Sequence, residues 1–232
     1  ATRIRGRRAT IYVAEDMEPS RLELLESHGL DLVIHGKLAW DAEAEARRVA
    51  EEEDKIYVSP YNDPIVVGGQ GTCGYEISKQ LPDVDAGFFA CGAGGLLTGS
   101  AGWLKHHNPD LQAYGVSPAN SPVVYEFMRS NRMIEIETYQ TLADTCAGGV
   151  DMDSITLDLC RRHVDEIVLL TEEEIEASVR LLFEQHRLVV EGSVALGVGG
   201  MLKRKEHFKG KKVVAVVCGR NIDLEVFKRI IG

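Results

Sequence analysis

The apolar positions of this chain fall into two kinds of run that alternate. Short stretches rich in β-branched and aromatic residues are separated by longer ones in which apolar residues recur three and four apart. The first kind predicts strands buried in a sheet, the second amphipathic helices. Thr10–Val13 reads as a buried strand, and residues 20–28 as a helix N-capped by Ser20 and closed by Gly29. Residues 32–35 follow as a strand, 41–53 as a surface helix laced with acids and arginines, and 56–58 as a third strand.

A passage punctuated by Pro and Gly, residues 59–71, separates this block from the rest. Beyond it the pattern predicts strand 87–90, helix 96–106, strand 112–116, helices Val123–Ser130 and 154–162, and strand Glu166–Leu170. The acids Glu172, Glu173 and Glu174 open a helix where negative charge suits the dipole. Another helix follows Gly192, then strand 213–217 and helix Leu224–Ile231. Strands joined by helix-length crossovers require parallel sheets. The expected fold is α/β, with two parallel-sheet units: a small one over residues 1–60, the remainder of a domain, and a large one over 61–232.

Composition narrows the partners. Net charge is -10 and pI about 5.2, which disfavours nucleic acid and anionic membrane. No apolar run approaches the roughly 20 residues of a membrane span. Cys73, Cys91, Cys146, Cys160 and Cys218 are scattered without a C-x-x-C pair, so no zinc cage is expected and reduced thiols of a cytoplasmic protein are. No leader opens the chain, and it starts on Ala1 with residues 1–8 reading as the tail of a helix. We therefore expect a fragment or the ordered part of a longer protein.

The strongest local signal is Phe88-Phe89-Ala90-Cys91-Gly92-Ala93-Gly94-Gly95-Leu96-Leu97, a strand running through a glycine-rich turn straight into a helix. Consecutive backbone N–H groups can converge there on an anion, with the helix dipole behind them. A tight turn that merely lets helix and sheet pack closely would look the same. Gly69-Gln70-Gly71-Thr72-Cys73-Gly74 matches the dinucleotide pattern G-x-G-x-x-G, but the apolar run before it is short and begins after Pro64. No acidic residue closes a following strand at the required distance, so nicotinamide binding is not expected.

These motifs belong to an ordered series: Ser59-Pro60-Tyr61-Asn62-Asp63-Pro64, Gly69-Gln70-Gly71-Thr72, Cys91 to Leu96, Tyr114-Gly115-Val116-Ser117-Pro118 and Cys218-Gly219-Arg220-Asn221. The series resembles the pattern HPFDDP, AGQGT, VGGGGL, GVEP and SGGN of fold-type II pyridoxal phosphate (PLP) enzymes, of the threonine/serine dehydratase and serine racemase kind. Thr141-Leu142-Ala143-Asp144, Val190-Glu191-Gly192 and Asn221-Ile222-Asp223 extend it, so the likeness covers essentially the whole chain.

The resemblance implies PLP as cofactor, held at its phosphate by the amides of Gly92, Ala93, Gly94, Gly95 and Leu96. Ala93 replaces a glycine, which the site tolerates if its φ is negative. Cys218 falls where the family sets a Ser or Cys against the pyridine nitrogen; the alternative is a small buried thiol ending a strand. Glu191 takes an acidic position near the ring, or else merely caps the helix break at Gly192. Thr145 stands where the family has the glycine of Ala-Asp-Gly. Ser117 and Val123 stand where many members carry carboxylate ligands, so no metal is expected. His106 and His107 read as a solvated helix end.

The family's Schiff-base lysine lies in Ser-x-Lys-x-Arg-Gly, which this chain lacks. Ala1-Thr2-Arg3-Ile4-Arg5-Gly6 imitates it with an arginine that cannot serve. The resemblance therefore implies a PLP-dependent ammonia-lyase of threonine- or serine-type β-hydroxy amino acids, acting as a homodimer on a small amino-acid substrate. An amino-acid racemase, or a degenerate non-catalytic member, is the alternative. The catalytic lysine is expected outside the given residues, and the chain alone to keep the phosphate cradle, accept sulfate or phosphate, and hold no PLP covalently. A further allosteric domain, with feedback by a branched-chain amino acid, is not expected.

Overall fold

The computed structural model describes residues 4–15, 17, 19–130, 132 and 136–232. The chain divides into two compact units, Ala1–Ser59 and Pro60–Gly232.

In the first unit, β1 (Thr10–Val13) and β2 (Asp31–Ile34) pair in parallel, Thr10 opposite Asp31 and Val13 opposite Ile34. Helix α1 (Pro19–Ser27) connects them and α2 (Ala39–Glu52) packs on β1. Proline suits a first helical turn because its missing N–H would be unpaired there anyway. The helix therefore starts ahead of Ser20, which lies inside it rather than capping it. The Asp41 carboxylate accepts from the amides of Lys37 and Leu38, both at 3.0 Å, and closes the start of α2. Three expectations fail here. β1 is not buried throughout, since only Val13 lies in the core. Residues 56–58 form no ladder, and Ile56 is 90% exposed; β-branched residues make a strand only with a partner. The turn and extended chain over residues 4–9 likewise replace the expected helix tail, whose first three residues lie outside the described residues.

In the second unit, the passage over residues 59–71 contains a helix, α3 (Pro64–Gln70), and a second unexpected helix, α4 (Thr72–Gln80), follows it. Asp63 caps α3 by accepting from Ile65 N at 2.7 Å and Val66 N at 3.1 Å, with Pro64 at the first position. The remaining order is β3 (Ala86–Ala90), α5 (Gly95–His107), β4 (Gln112–Pro118), α6 (Val123–Ser130), a 3-10 turn (Asp144–Cys146), α7 (Ile155–His163), β5 (Glu166–Leu170), α8 (Glu172–His186), α9 (Gly192–Lys203), β6 (Val213–Ala215) and α10 (Leu224–Ile231). The four strands form one parallel sheet in the order β5-β4-β3-β6. Side chains alternate across it: Phe89 enters the core with Leu97, Leu104 and Leu157, and Phe88 enters the opposite core with Tyr114, Val116 and Leu196. Both faces are covered, which explains why the strands read as unbroken apolar runs.

Gly71 and Gly74 of the apparent dinucleotide motif lie where α4 crosses α5. A Cβ on Gly74 would sit 2.5 Å from Ser100 O, and one on Gly99 would sit 2.4 Å from Val67 O. These glycines permit backbone-to-backbone helix packing, and the element directly before Gly71 and Gly74 is helix α3 rather than a strand.

Candidate functional site

Strands β3, β4 and β5 step in one direction across the sheet, and β6 returns to the other edge of β3. Helix α5, after β3, joins one core, whereas α10, after β6, joins the cluster of α8 and α9. The segments leaving β3 and β6 therefore diverge to opposite faces. Such a switch point opens a crevice at the carboxyl ends of the strands, where open α/β sheets bind their ligands. Two stretches singled out in the sequence, residues 91–96 and 218–221, follow those strands there.

Cys91 N closes the ladder on Val116 O at 2.9 Å. Among the described residues, the amides of Gly92, Ala93, Gly94, Gly95, Leu96 and Leu97 then donate no hydrogen bond; the next, Thr98 N, donates to Gly94 O at 2.8 Å. Gly94, Gly95 and Leu97 are buried. Buried amides need partners, and a helix N-terminus adds positive potential, so the arrangement fits an anionic group such as a phosphate. Gly94 caps α5 at φ +86°, a left-handed conformation that glycine alone adopts without strain. Positive φ occurs at no described non-glycine residue except Asp54 and Arg187, so Ala93 takes an ordinary backbone and offers its N–H. A Cβ on Gly95 would lie 2.3 Å from Oε1 of Gln70, whose Nε2 donates to Pro60 O at 3.2 Å.

The other singled-out residues connect to this turn. A Cβ on Gly92 would lie 3.0 Å from Cys146 Cα, so the 3-10 turn abuts the cradle. Thr145 Oγ1 on that turn donates to Glu191 Oε1 at 3.4 Å, and Asn221 N donates to Glu191 Oε2 at 2.9 Å. The Glu191 side chain thus makes no cap bond to α9, against the plain reading of it; it faces the loop after β6. Cys218 does not end a strand, because β6 stops at Ala215, and it is exposed. Partial burial, the neighbouring Cys73 and the Glu191 charge hold its thiol above the usual range. Burial pushes the Cys146 and Cys160 thiols up to about 12.

The remaining candidates stand apart. Ser117 Oγ donates to Cys91 O at 2.7 Å in the core, and Val123 is buried at the start of α6. Among the described residues, no group of three or more His, Cys, Asp or Glu could hold a metal ion. His106 and His107 are exposed at the end of α5. Each lysine of the second unit is engaged elsewhere or exposed: Lys105 pairs with Asp165 at 2.7 Å, Lys203 with Glu174 at 2.8 Å, Lys211 with Asp85 at 3.3 Å, Lys228 with Glu225 at 2.7 Å and Lys212 with Asp83, while Lys79 lies over the Tyr75 ring. Lys205 and Lys209 are exposed, as are Lys37 and Lys55 in the first unit, and Arg3 lies outside the described residues.

Sequence reasoning missed Cys146 and gave Gln70 no role. Asn62, quoted only as part of a motif, bridges Asp151 Oδ2 and Ile155 N, both at 3.0 Å, and so holds the loop leading into α7.

Comparison with known proteins agrees with this geometry. The L-threonine ammonia-lyase of Thermotoga maritima is 36% identical over the whole chain, which spans 57% of that protein's length. The catabolic L-threonine dehydratase of Escherichia coli K12 is 35% identical over 88% of the chain and 63% of its own length. The processed threonine deaminase isoform 2 of Solanum lycopersicum superposes with a TM-score of 0.87 at 27% identity, covering 97% of this chain and 66% of that one. Serine racemase of Dictyostelium discoideum gives 0.83 at 26%, over 96% and 72%. A family model described as pyridoxal-phosphate dependent enzyme matches residues 1–219. With its glycine turn at the switch point of a parallel sheet, the chain belongs to the family of pyridoxal-phosphate dependent enzymes, in the group of the threonine dehydratases and serine racemases.

Proposed function

We propose that this protein is the cofactor-binding part of a PLP-dependent ammonia-lyase, which converts a β-hydroxy amino acid of the threonine or serine type into a 2-keto acid and ammonia. The observation that carries the reading is the run of six unengaged amides from Gly92 to Leu97. Gly92, Ala93, Gly94, Gly95 and Leu96 hold the cofactor phosphate there, so that α5 contributes its positive end. Bound PLP supplies a carbonyl for the substrate amine and a conjugated ring that takes up electron density from the α-carbon.

Cys218 would stand at the ring nitrogen, as the resemblance implies. A neutral thiol, unlike a carboxylate, does not keep that nitrogen protonated, and its raised pKa keeps it neutral near pH 7. The ring is then a moderate electron sink, which suits β-elimination more than transamination. Glu191, oriented by Asn221 and Thr145, would place its carboxylate near the ring. The group that moves the α-proton is the family's lysine and is not among the residues assigned here. The five cysteines, all free, suit a reducing cytoplasm, and we take the active assembly to be a homodimer, as the resemblance implies.

The product of the whole reading frame should release ammonia and 2-keto acid from L-threonine and L-serine. A racemase is the second reading, favoured by the likeness to the Dictyostelium discoideum serine racemase, because one site can also return the proton to the α-carbon. Exchange of enantiomers without keto acid would decide for it and against the lyase.

A further inference from the structure

Glu191 is held from two sides. Its Oε2 accepts from the backbone amide of Asn221 at 2.9 Å, a contact available whatever side chain follows Cys218 and Gly219. Its Oε1 accepts from the Thr145 hydroxyl at 3.4 Å, a contact that depends on one side chain. The Ala-Asp-Gly that this sequence resembles has no hydroxyl at that position. Thr145 is itself well placed to hold: its amide is paired with Asp144 Oδ1 at 2.8 Å, and the turn around it is closed by Cys146 N to Ala143 O at 2.9 Å and Ala147 N to Asp144 O at 3.1 Å. A Cβ on Gly219 would lie 2.8 Å from Glu191 Cδ and 2.9 Å from its Oε1, so the carboxylate rests directly on the backbone beside Cys218.

We propose that Thr145 is a positioning residue for Glu191: its hydroxyl, opposite the Asn221 amide, fixes the carboxylate over the Cys218–Gly219 turn. The functional weight of this rests on the reading of Cys218 as the residue at the ring nitrogen, but the positioning itself concerns only side chains of this chain. A carboxylate held there opposes ionisation of the Cys218 thiol. The other titratable groups that face this thiol are those of Cys73 on α4 and Cys146 on the 3-10 turn, and both are thiols. Among the described residues, Glu191 is therefore the carboxylate that acts on this thiol. Loosening it should let Cys218 ionise more readily, and the thiolate is the form that reacts with alkylating agents.

The test is the rate of Cys218 alkylation in the 232-residue chain without PLP, read site by site by peptide mass spectrometry at a fixed, mildly alkaline pH. Thr145→Val keeps the shape and removes the hydroxyl; it should raise the rate on the order of twofold. Thr145→Ser, which keeps the hydroxyl, should match the unchanged protein. On a Glu191→Gln background, Thr145→Val should have no effect, because there is no charge left to position. An unchanged rate in Thr145→Val, or an increase that persists with Glu191→Gln, overturns the proposal. PLP titration of the same proteins separates the two readings. If PLP fails to bind the unchanged chain, the placing of Cys218 at the ring nitrogen loses its footing in this chain, while the alkylation rates still decide the place of Thr145.

Discussion

At the scale of single residues, the cradle depends on which position takes the left-handed turn. Gly94 does, at φ +86°, with Cys160 Sγ 3.1 Å and Thr156 Cβ 3.5 Å from where a Cβ would stand. Ala93 does not, so the one departure from an all-glycine loop falls where a side chain costs nothing in backbone strain. Gly94→Ala should therefore destabilise the protein by about 1–2 kcal/mol from the conformation alone, before the contact with Cys160 is counted. Ala93→Gly should leave phosphate affinity unchanged. Chemical denaturation and an isothermal phosphate titration of both variants check this, and a strongly weakened Ala93→Gly protein would mean that Ala93 does more than donate its amide.

At the scale of elements, the glycines of Gly69-Gln70-Gly71-Thr72-Cys73-Gly74 act between helices. Gly74→Ala would drive a methyl group to 2.5 Å from Ser100 O and 2.9 Å from Ser100 Cα, which backbone cannot yield to cheaply. The expected loss is about 1–3 kcal/mol, the cost of overpacking a well-filled contact, read as a lower denaturant midpoint. An unchanged midpoint would show that α4 and α5 have room to separate. The same segment marks where the sequence was hard to read. The helices and strands from β3 onward were legible because they carry their own signals, such as the apolar run of β3 and the acids Glu172 to Glu174 of α8; the structure adds Ser154 and Thr171 as the caps of α7 and α8. Helix α3 was not, because Pro64, Gly68 and Gly69 argue locally for a loop, and burial against α5 overrides them. Residues 56–58 failed in the opposite sense, with strand-forming side chains and no neighbouring strand to pair with. Among the candidate site residues, the glycine turn was visible in the sequence as a motif, whereas the approach of Cys146 to Gly92 and of Thr145 to Glu191 spans residues far apart in the chain and becomes visible only when folded.

At the scale of the whole molecule, strand order does what no motif does alone: it turns β3 and β6 back to back, so that a glycine turn and the Cys218 loop leave the sheet at one crevice. The 3-10 turn and Glu191 link the two. The amides of Gly92 to Leu96 are proposed to hold the phosphate of PLP. Amide chemical-shift mapping of the isotope-labelled chain measures this directly, with PLP, inorganic phosphate and phosphate-free pyridoxal as ligands. The Gly92, Ala93, Gly94, Gly95 and Leu96 amides should shift with PLP and with phosphate but not with pyridoxal. Shifts confined to other parts of the chain, or equal shifts with pyridoxal, would contradict it.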